Sequence, residues 1–451
     1  MVKVTFILPS LNVAEYIEEC VESALNQSLA ETEILCIDAG STDGTEEIIR
    51  CYAEDERYHN RVRFLHSDVK SYGYQVNLGI RDAKGEYVAI LETDDYIKPD
   101  MAEKMYAVAE DTQADMVRAD YEAFYILPSG RKRFSRFRMF QDEVQYGSVV
   151  RTGDDAFYYL NDQNIWRGLY RKQFLTDHNI LLNESAGAAY QDLGFVMQAL
   201  ACAECVVYMD EAFYQYRLNR PGSSSYSPKC VKFIYQEYLR LLKDSSINAK
   251  FPTFSGIYLR MIQSFVGEYE KALISNDYDL DSENLKTYYD YFQSEINSHL
   301  DMLPEARKQL GDKCVDALEL LLRDSEAYSN WIRTREAEKK NTISSVVEAL
   351  KDKKIIIFGA GARGRGFLDF LESHDLTAEA FADNNSDMWG KEFEGHKVIE
   401  PETCFAQTKE KNTVVCIANK THETEIYEQM IMAGVPEKAI VRTSAFYEML
   451  V

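Results

Sequence analysis

No run of eighteen apolar residues occurs anywhere in the 451-residue chain, so nothing in it reads as a membrane-spanning helix. The apolar stretch within residues 1–9 is too short for a secretory signal, and a cytoplasmic protein is expected. Positive charge is also short. Fifty Lys and Arg face 74 Asp and Glu, a formal net charge of −24. That balance excludes nucleic acid as a partner, because phosphate backbones demand basic surfaces. It equally disfavours broad adsorption to anionic lipid. The nine cysteines are odd in number and scattered, and Cys36 and Cys416 sit inside apolar runs. Reduced, buried thiols fit that pattern better than a disulfide framework. Cys202 and Cys205 form a lone CxxC without a second pair or a nearby histidine, which is weak support for zinc or redox chemistry. His59, His66 and His178 lack any partner spacing, and neither an internal repeat nor a low-complexity tract is present.

What remains is a chain of ordinary globular composition, 46% hydrophobic and 27% charged, long enough for two or three domains. Over the first 120 residues, strand and helix patterns alternate, which indicates an α/β fold with a mostly parallel sheet. Expected strands are Val2–Leu8, Glu33–Asp38, Val62–Leu65 and Tyr87–Leu91. Expected helices are Glu15–Asn26, Thr45–Tyr52, Gln75–Ala83 and one near Asp100–Glu110. A hairpin is expected over 115–150, turning at Pro128, Ser129 and Gly130. From Lys229 to about Lys340 the periodicity is helical. At Lys353–Phe358 a second α/β unit begins, with further strands at Ala378–Ala382 and Thr413–Ala418. The expected division is therefore 1–228, a helical region with linker at 229–345, and 346–451, the charged Glu336–Lys340 serving as linker.

The chemistry concentrates where strands end. The Tyr87–Leu91 strand runs into Glu92, Thr93, Asp94 and Asp95. Clustered carboxylates at the carboxyl edge of a sheet repel one another and call for a cation. Mn2+ or Mg2+ bridging a diphosphate is the natural occupant, with Asp94 as its protein ligand. Three other patches align with it: Pro9, Ser10 and Asn12 after the first strand; Asp38, Ser41 and Asp43 in a glycine-rich turn after the second; and Tyr72, Gly73 and Asn77 opening a helix. A nucleotide lying across such an edge needs an acceptor for a base N–H, a tight turn and a metal ligand. Asp38, the turn and Asp94 are candidates for those roles, while Glu92 and Asp95 could orient backbone or ribose.

In order and spacing, these four patches resemble the family 2 glycosyltransferases of the A-type fold over roughly the first half of the chain. The resemblance implies a mixed, mostly parallel sheet flanked by helices and a nucleoside-diphosphate sugar donor, expected to be UDP-linked. It implies an inverting, metal-dependent hexosyl transfer to a glycan or lipid-linked saccharide in bacterial surface polysaccharide assembly. It extends to Gln191–Asp192, where Asp192 matches the family's general base, although an ordinary helix N-cap before Phe195–Leu200 is the other reading. It also extends to Asn164–Tyr170 as the strand fronting the donor sugar, and to Tyr214–Arg217 with Gly222–Ser225 as the segment closing the acceptor side. The chain departs from the family at Ala39, Glu92 and Gln191, where acids or a shorter acid are usual.

Two features stand outside that match. Gly359, Gly361 and Gly364 satisfy GxGxxG between a strand and a helix, and Asp383 ends a following strand. They resemble a small Rossmann-like domain and suggest a dinucleotide or nucleotide there. Residues 131–138 form a basic arm, by default a charge-blunted edge strand. The sharper expectation is peripheral contact at the inner face of a membrane or with a lipid diphosphate. A homo-oligomer is a further expectation. Rival readings are a dinucleotide-dependent sugar oxidoreductase or epimerase centred on the second unit, and a non-catalytic scaffold.

Overall fold

Strands β1 (Val4–Ser10) and β2 (Thr32–Asp38) are buried along their whole length. Such near-continuous apolar runs belong to strands covered on both faces. Parallel pairing joins β1 to β2 on one side and to β4 (Tyr87–Ile90) on the other, and β2 to β3 (Val62–His66). In that register Ser10 lies opposite Asp38 and Ile7 opposite Ile90, so the loops after β1, β2 and β4 leave from one edge. Beyond β4 the sheet becomes mixed. It continues through β5 (Tyr96–Ile97), β6 (Met116–Ile126), β7 (Lys132–Phe137), β8 (Val149–Val150), β9 (Gly168–Arg171) and β10 (Val206–Arg217). The spatial order is β3-β2-β1-β4-β9-β6-β10-β5, with β7 beside β6 and β8 beside β10.

This computed structural model describes residues 1–58, 61–128, 130–141, 145–218, 230–410 and 412–444. His59, Ser129 and the Gly222–Ser225 segment lie outside the described residues. The chain falls into two compact units: Met1–Tyr125 with Phe134–Asn330, and Ile126–Arg133 with Trp331–Val451. Among the described residues, no helix is long and apolar enough to cross a membrane.

The helical region belongs to the first unit. Helix Ser255–Ser275 packs on Ala156–Asn161 and on Cys230–Lys243. It buries Ile257, Met261, Phe265 and Tyr269 on one face. The expected linker at Glu336–Lys340 lies inside the unbroken helix Ser325–Leu350, which runs across the boundary between the units at Asn330. Glu, Ala and Lys are strong helix formers, and a charged segment of that composition reads equally as a solvated helix.

A buried ion pair anchors β6 to the segment before β9. Arg118 Nε donates to Asp162 Oδ2 at 2.9 Å and its NH2 to Asp162 Oδ1 at 2.5 Å. Tyr208 Oη donates to Asp162 at 2.9 Å, and Arg118 reaches Tyr170 Oη and the Asn164 carbonyl at 2.7 and 2.6 Å. Burial alone would push Asp162 up, but Arg118 holds its carboxyl below the usual range.

The basic arm is neutralised. Arg136 and Arg138 pair with Asp210, and Arg136 also with Asp120, in the first unit. Arg131 and Arg133 pair with Glu372, Asp369 and Glu394 in the second. These carboxylates already compensate the arginines, and the membrane or lipid-diphosphate contact through 131–138 stays an expectation.

In the second unit, β11 (Lys354–Phe358) is central and parallel to β12 (Ala378–Ala382) and β15 (Thr413–Ile417). β13 (Glu392–Phe393), β14 (His396–Ile399) and β16 (Ile440–Arg442) complete the order β13-β14-β12-β11-β15-β16. Ile355 and Ile357 pack with Phe367 and Leu371, while Ile356 and Phe358 pack with Phe405 and Met430. Period-two alternation thus feeds two cores from one strand.

Candidate active site

The turn after β2 is held by its own first residue. Asp38 Oδ2 accepts from the amides of Gly40 and Ser41 at 2.8 and 2.9 Å, and Oδ1 accepts from Ser41 Oγ. The Asp38 side chain is fully buried. In this structure the carboxylate shapes its own turn, and its contact with a nucleotide base stays an expectation. Ser41 Oγ also accepts from Asn12 N at 2.8 Å, and Asn12 Oδ1 accepts from Thr42 N at 2.8 Å. Asp43 accepts from Ala14 N at 3.0 Å and Thr45 Oγ1 at 2.6 Å. Burial would push the Asp43 carboxyl up, yet these bonds from Thr45 and Ala14 hold it below its ordinary value. The loops after β1 and β2 are therefore laced into one rim.

The acidic motif divides its labour. Thr93 Oγ1 donates to the Pro9 carbonyl at 3.0 Å. Asp95 is buried and accepts from Tyr214 Oη at 2.8 Å and Arg217 N at 2.7 Å. Burial and then the neighbouring Asp94 push the Asp95 carboxyl well above its ordinary range. Glu92 accepts from Tyr72 Oη at 2.5 Å. Asp94 is partly buried, its carbonyl held by Arg217 Nε at 2.8 Å. With Thr93 and Asp95 committed to the frame, Asp94 fits the part of a single protein ligand to a hard cation whose other positions belong to diphosphate and water. Among the described residues, Asp38, Glu46 and His66 form a three-residue group with ligand atoms within 4.8 Å, but Asp38 is already engaged.

The Tyr72 helix faces two ways. Gln75 Nε2 donates to the carbonyls of Ser10 and Ile37 at 2.9 and 2.7 Å, tying β1 to β2. Gly73 and Asn77, expected at the donor, instead clamp the 182–187 loop. A Cβ on Gly73 would stand 1.9 Å from the Asn183 carbonyl oxygen. Asn77 exchanges hydrogen bonds with the Leu182 backbone, both at 3.0 Å. Tyr72 N donates to the Gly187 carbonyl at 2.9 Å, and Gln191 Nε2 reaches the same carbonyl at 3.1 Å. These bonds bring helix Gln191–Cys202, and with it Asp192, toward the acidic motif. Burial pushes the Tyr72 phenol well up, and both Glu92 and Asp192 push it further.

Asp192 is an early helix residue that also lines a cavity of about 460 Å³ with Asn164, Trp166, Tyr190, Tyr216 and Arg260. Burial raises its carboxyl above the ordinary aspartate value, against the pull of helix-terminal amides and of Arg260. Trp166 stacks on Tyr214 and Tyr216 at centroid distances of 4.2 and 5.1 Å, so it packs in the core and lines the cavity together. The far wall comes from helix Ser255–Ser275 through Arg260, Ser264, Glu268 and Lys271. These were missed in the sequence. Their signal is a polar stripe at helical spacing, alongside the apolar face of a largely buried helix.

Behind Asp192, Glu237 is buried, accepts from Asn183 Nδ2 at 2.7 Å and leaves Oε2 without a partner. Burial raises its carboxyl to about 7. Folded protein thus holds this proton more tightly than the unfolded chain, whose value is near 4.5. The associated stability is complete below about 4.5 and is lost as pH rises through about 7. Glu237→Gln should raise stability at pH 8 by on the order of 2 kcal/mol and flatten the pH dependence, read by thermal unfolding across pH. Identical profiles for both proteins would contradict it.

In the second unit, Gly359 has φ +123°, and a Cβ on Gly364 would stand 1.9 Å from the Gly359 carbonyl oxygen. Both glycines are accounted for by packing. Gly361 faces open space. Asp383 accepts from Ala360 N at 2.7 Å and Asn385 N at 2.8 Å. In this structure it braces the glycine loop, and its ribose contact stays an expectation.

Residues 5–186 match the sequence model of Glycosyl transferase family 2. The amino-terminal segment is thus similar to the family 2 glycosyltransferases. Beside it, residues 351–441 match the model described as C2185-like, N-terminal, so the Rossmann-like assignment stays an expectation. The chain is 29% identical over 243 residues to the uncharacterized glycosyltransferase EpsJ of Bacillus subtilis, covering 52% of this chain and 67% of that one. It is 28% identical over 230 residues to the uncharacterized glycosyltransferase YibD of Escherichia coli, covering 49% and 63%. At most about two thirds of those relatives' length is thus spanned. Among solved structures, S. aureus TarS 1–349 in complex with UDP-GlcNAc superposes with a TM-score of 0.47 at 19% identity, covering 72% of this chain and 92% of that one. The matched segment contains the rim of Asn12, Ser41 and Asp43, the acidic motif and the Tyr72 helix, and ends just before Gly187, so Tyr190, Gln191 and Asp192 lie outside it.

Proposed function

We propose that this chain transfers a hexosyl group from a nucleoside-diphosphate sugar, UDP-linked in the first instance, to an acceptor hydroxyl with inversion at the anomeric carbon. The observation that carries the reading is the placement of Asp192: its carboxylate lines a cavity, and Tyr72, bonded to Glu92 of the acidic motif, feels both acids. Asp192 takes the proton from the acceptor hydroxyl as that oxygen attacks. Asp94 would hold Mn2+ or Mg2+, which when bound supplies positive charge to the departing diphosphate. One displacement inverts the centre. Surface-polysaccharide assembly on the cytoplasmic side of a bacterial membrane is the setting this reading favours, with a glycan or lipid-linked saccharide as acceptor.

A panel of sugar donors with manganese, read as nucleoside diphosphate released and as product anomeric configuration by proton coupling, tests it. Release should occur with one donor class and vanish in Asp94→Ala. Full turnover in that variant, or a retained configuration, would overturn the assignment.

A further inference from the structure

Arg260 sits in the wall of the Asp192 cavity, and among the described residues no carboxylate is hydrogen-bonded to it. Its NH1 donates to Gln263 Oε1, and its Nε is buried with no partner. The other cation of that wall is different: Lys271 is bonded to Glu268 at 2.8 Å, and Glu268 also accepts from Tyr190 Oη at 2.7 Å. Gln163 Nε2 adds only a long contact to Gln263 at 3.4 Å. A guanidinium withdrawn from water is destabilised unless its donors are met, and burial lowers the Arg260 pKa accordingly. Acid is plentiful in this chain of net charge −24. Even so, the charged residue sharing the cavity with Arg260 as a candidate reactant is Asp192, the proposed base.

We propose that Arg260 binds an oxyanion carried by the acceptor, a carboxylate or a phosphate close to the hydroxyl that Asp192 deprotonates. The inference rests on the transferase reading and names its acceptor class. A fork of N–H donors matches either oxyanion in geometry, and an anion seated there completes the donors that Gln263 leaves over. The same anion compensates Arg260, so that Asp192 remains available to the hydroxyl. Trp166 and Tyr216 give the cavity an apolar, aromatic wall against which a sugar or polyol backbone can lie.

Isothermal titration of the full chain with methyl glucuronide, glycerol 1-phosphate and methyl glucoside tests this, the first two probes separating carboxylate from phosphate. At least one anionic probe should bind more tightly than the neutral one, and rising ionic strength should weaken only the anionic binding. Arg260→Gln should weaken it by roughly 10- to 100-fold, as expected for charge-assisted hydrogen bonds, and Arg260→Lys by less. Equal binding of all three probes to the unaltered chain would overturn the proposal without any variant. So would anionic binding unchanged in Arg260→Gln. Donor turnover with no preference for anionic acceptors would reject the oxyanion and leave the transferase standing, whereas anion binding without turnover of any donor would do the reverse.

Discussion

Replacing Asp192 by Asn should lower acceptor-dependent turnover by roughly 10²–10⁴-fold, the range for losing a positioned general base. Donor binding should persist, because the rim that joins Asn12, Ser41 and Asp43 lies on the other side of Tyr72. The change is nearly isosteric and keeps the helix-terminal position, so thermal stability should move little or rise. Burial raises the Asp192 carboxyl, and the ionised form is the active one. Activity should therefore fall on the acid side with a midpoint above that of an ordinary aspartate, and the limb should vanish with the residual rate of Asp192→Asn. Steady-state rates across pH, with separate kcat and KM, read this directly. A variant that keeps its turnover and its acid limb would remove Asp192 from the chemistry and leave it a helix-terminal residue.

The largest loss of stability is expected from Arg118→Ala. The pair with Asp162 is 1% and 0% exposed at the side chains, and the aspartate also accepts from Tyr208. Truncating the arginine leaves a buried carboxylate facing a void, a change that costs about 3–5 kcal/mol in comparable pairs. A drop in Tm of about 10 °C or more should result, given the usual conversion for large domains. Replacing both partners by apolar residues of similar volume should recover much of that loss, since burial of the charges itself opposes folding. Because Arg118 also holds the Asn164 carbonyl, the single variant should raise KM for acceptor before it unfolds. Equal stability of the single and double variants would argue against this account.

The strands of the parallel half were legible because burial on both faces forces long apolar runs. The acid-tipped strand was legible for the opposite reason: carboxylates are conspicuous beside such a run. The loop-clamping part of Gly73 and Asn77 was not legible, because a glycine needed for a backbone approach and one needed for a ligand look alike in one dimension. Asp38 shows the same ambiguity, since an acid that ties its own turn occupies the same position as one that faces a base. Arg118 and Asp162 lie 44 residues apart, and no local periodicity announces that distance. Arg260 escaped notice because a single arginine on a helix ordinarily reads as a solvated face. Its meaning depends on which side of that helix is covered.

The contact at Gly73 has a consequence for how such a protein can diversify. At Gly73 the backbone of the Tyr72 helix rests directly on the Asn183 carbonyl, and one turn on the Asn77 side chain bonds the Leu182 backbone. The offset between the acid-tipped strand and the base-bearing helix is thus gauged at Gly73 by peptide geometry, where any larger residue would push the two apart. The cavity's far wall is drawn instead from side chains of helix Ser255–Ser275. Selection can therefore rewrite what the cavity admits, one residue at a time, while the reacting groups keep their spacing as a fixed inheritance.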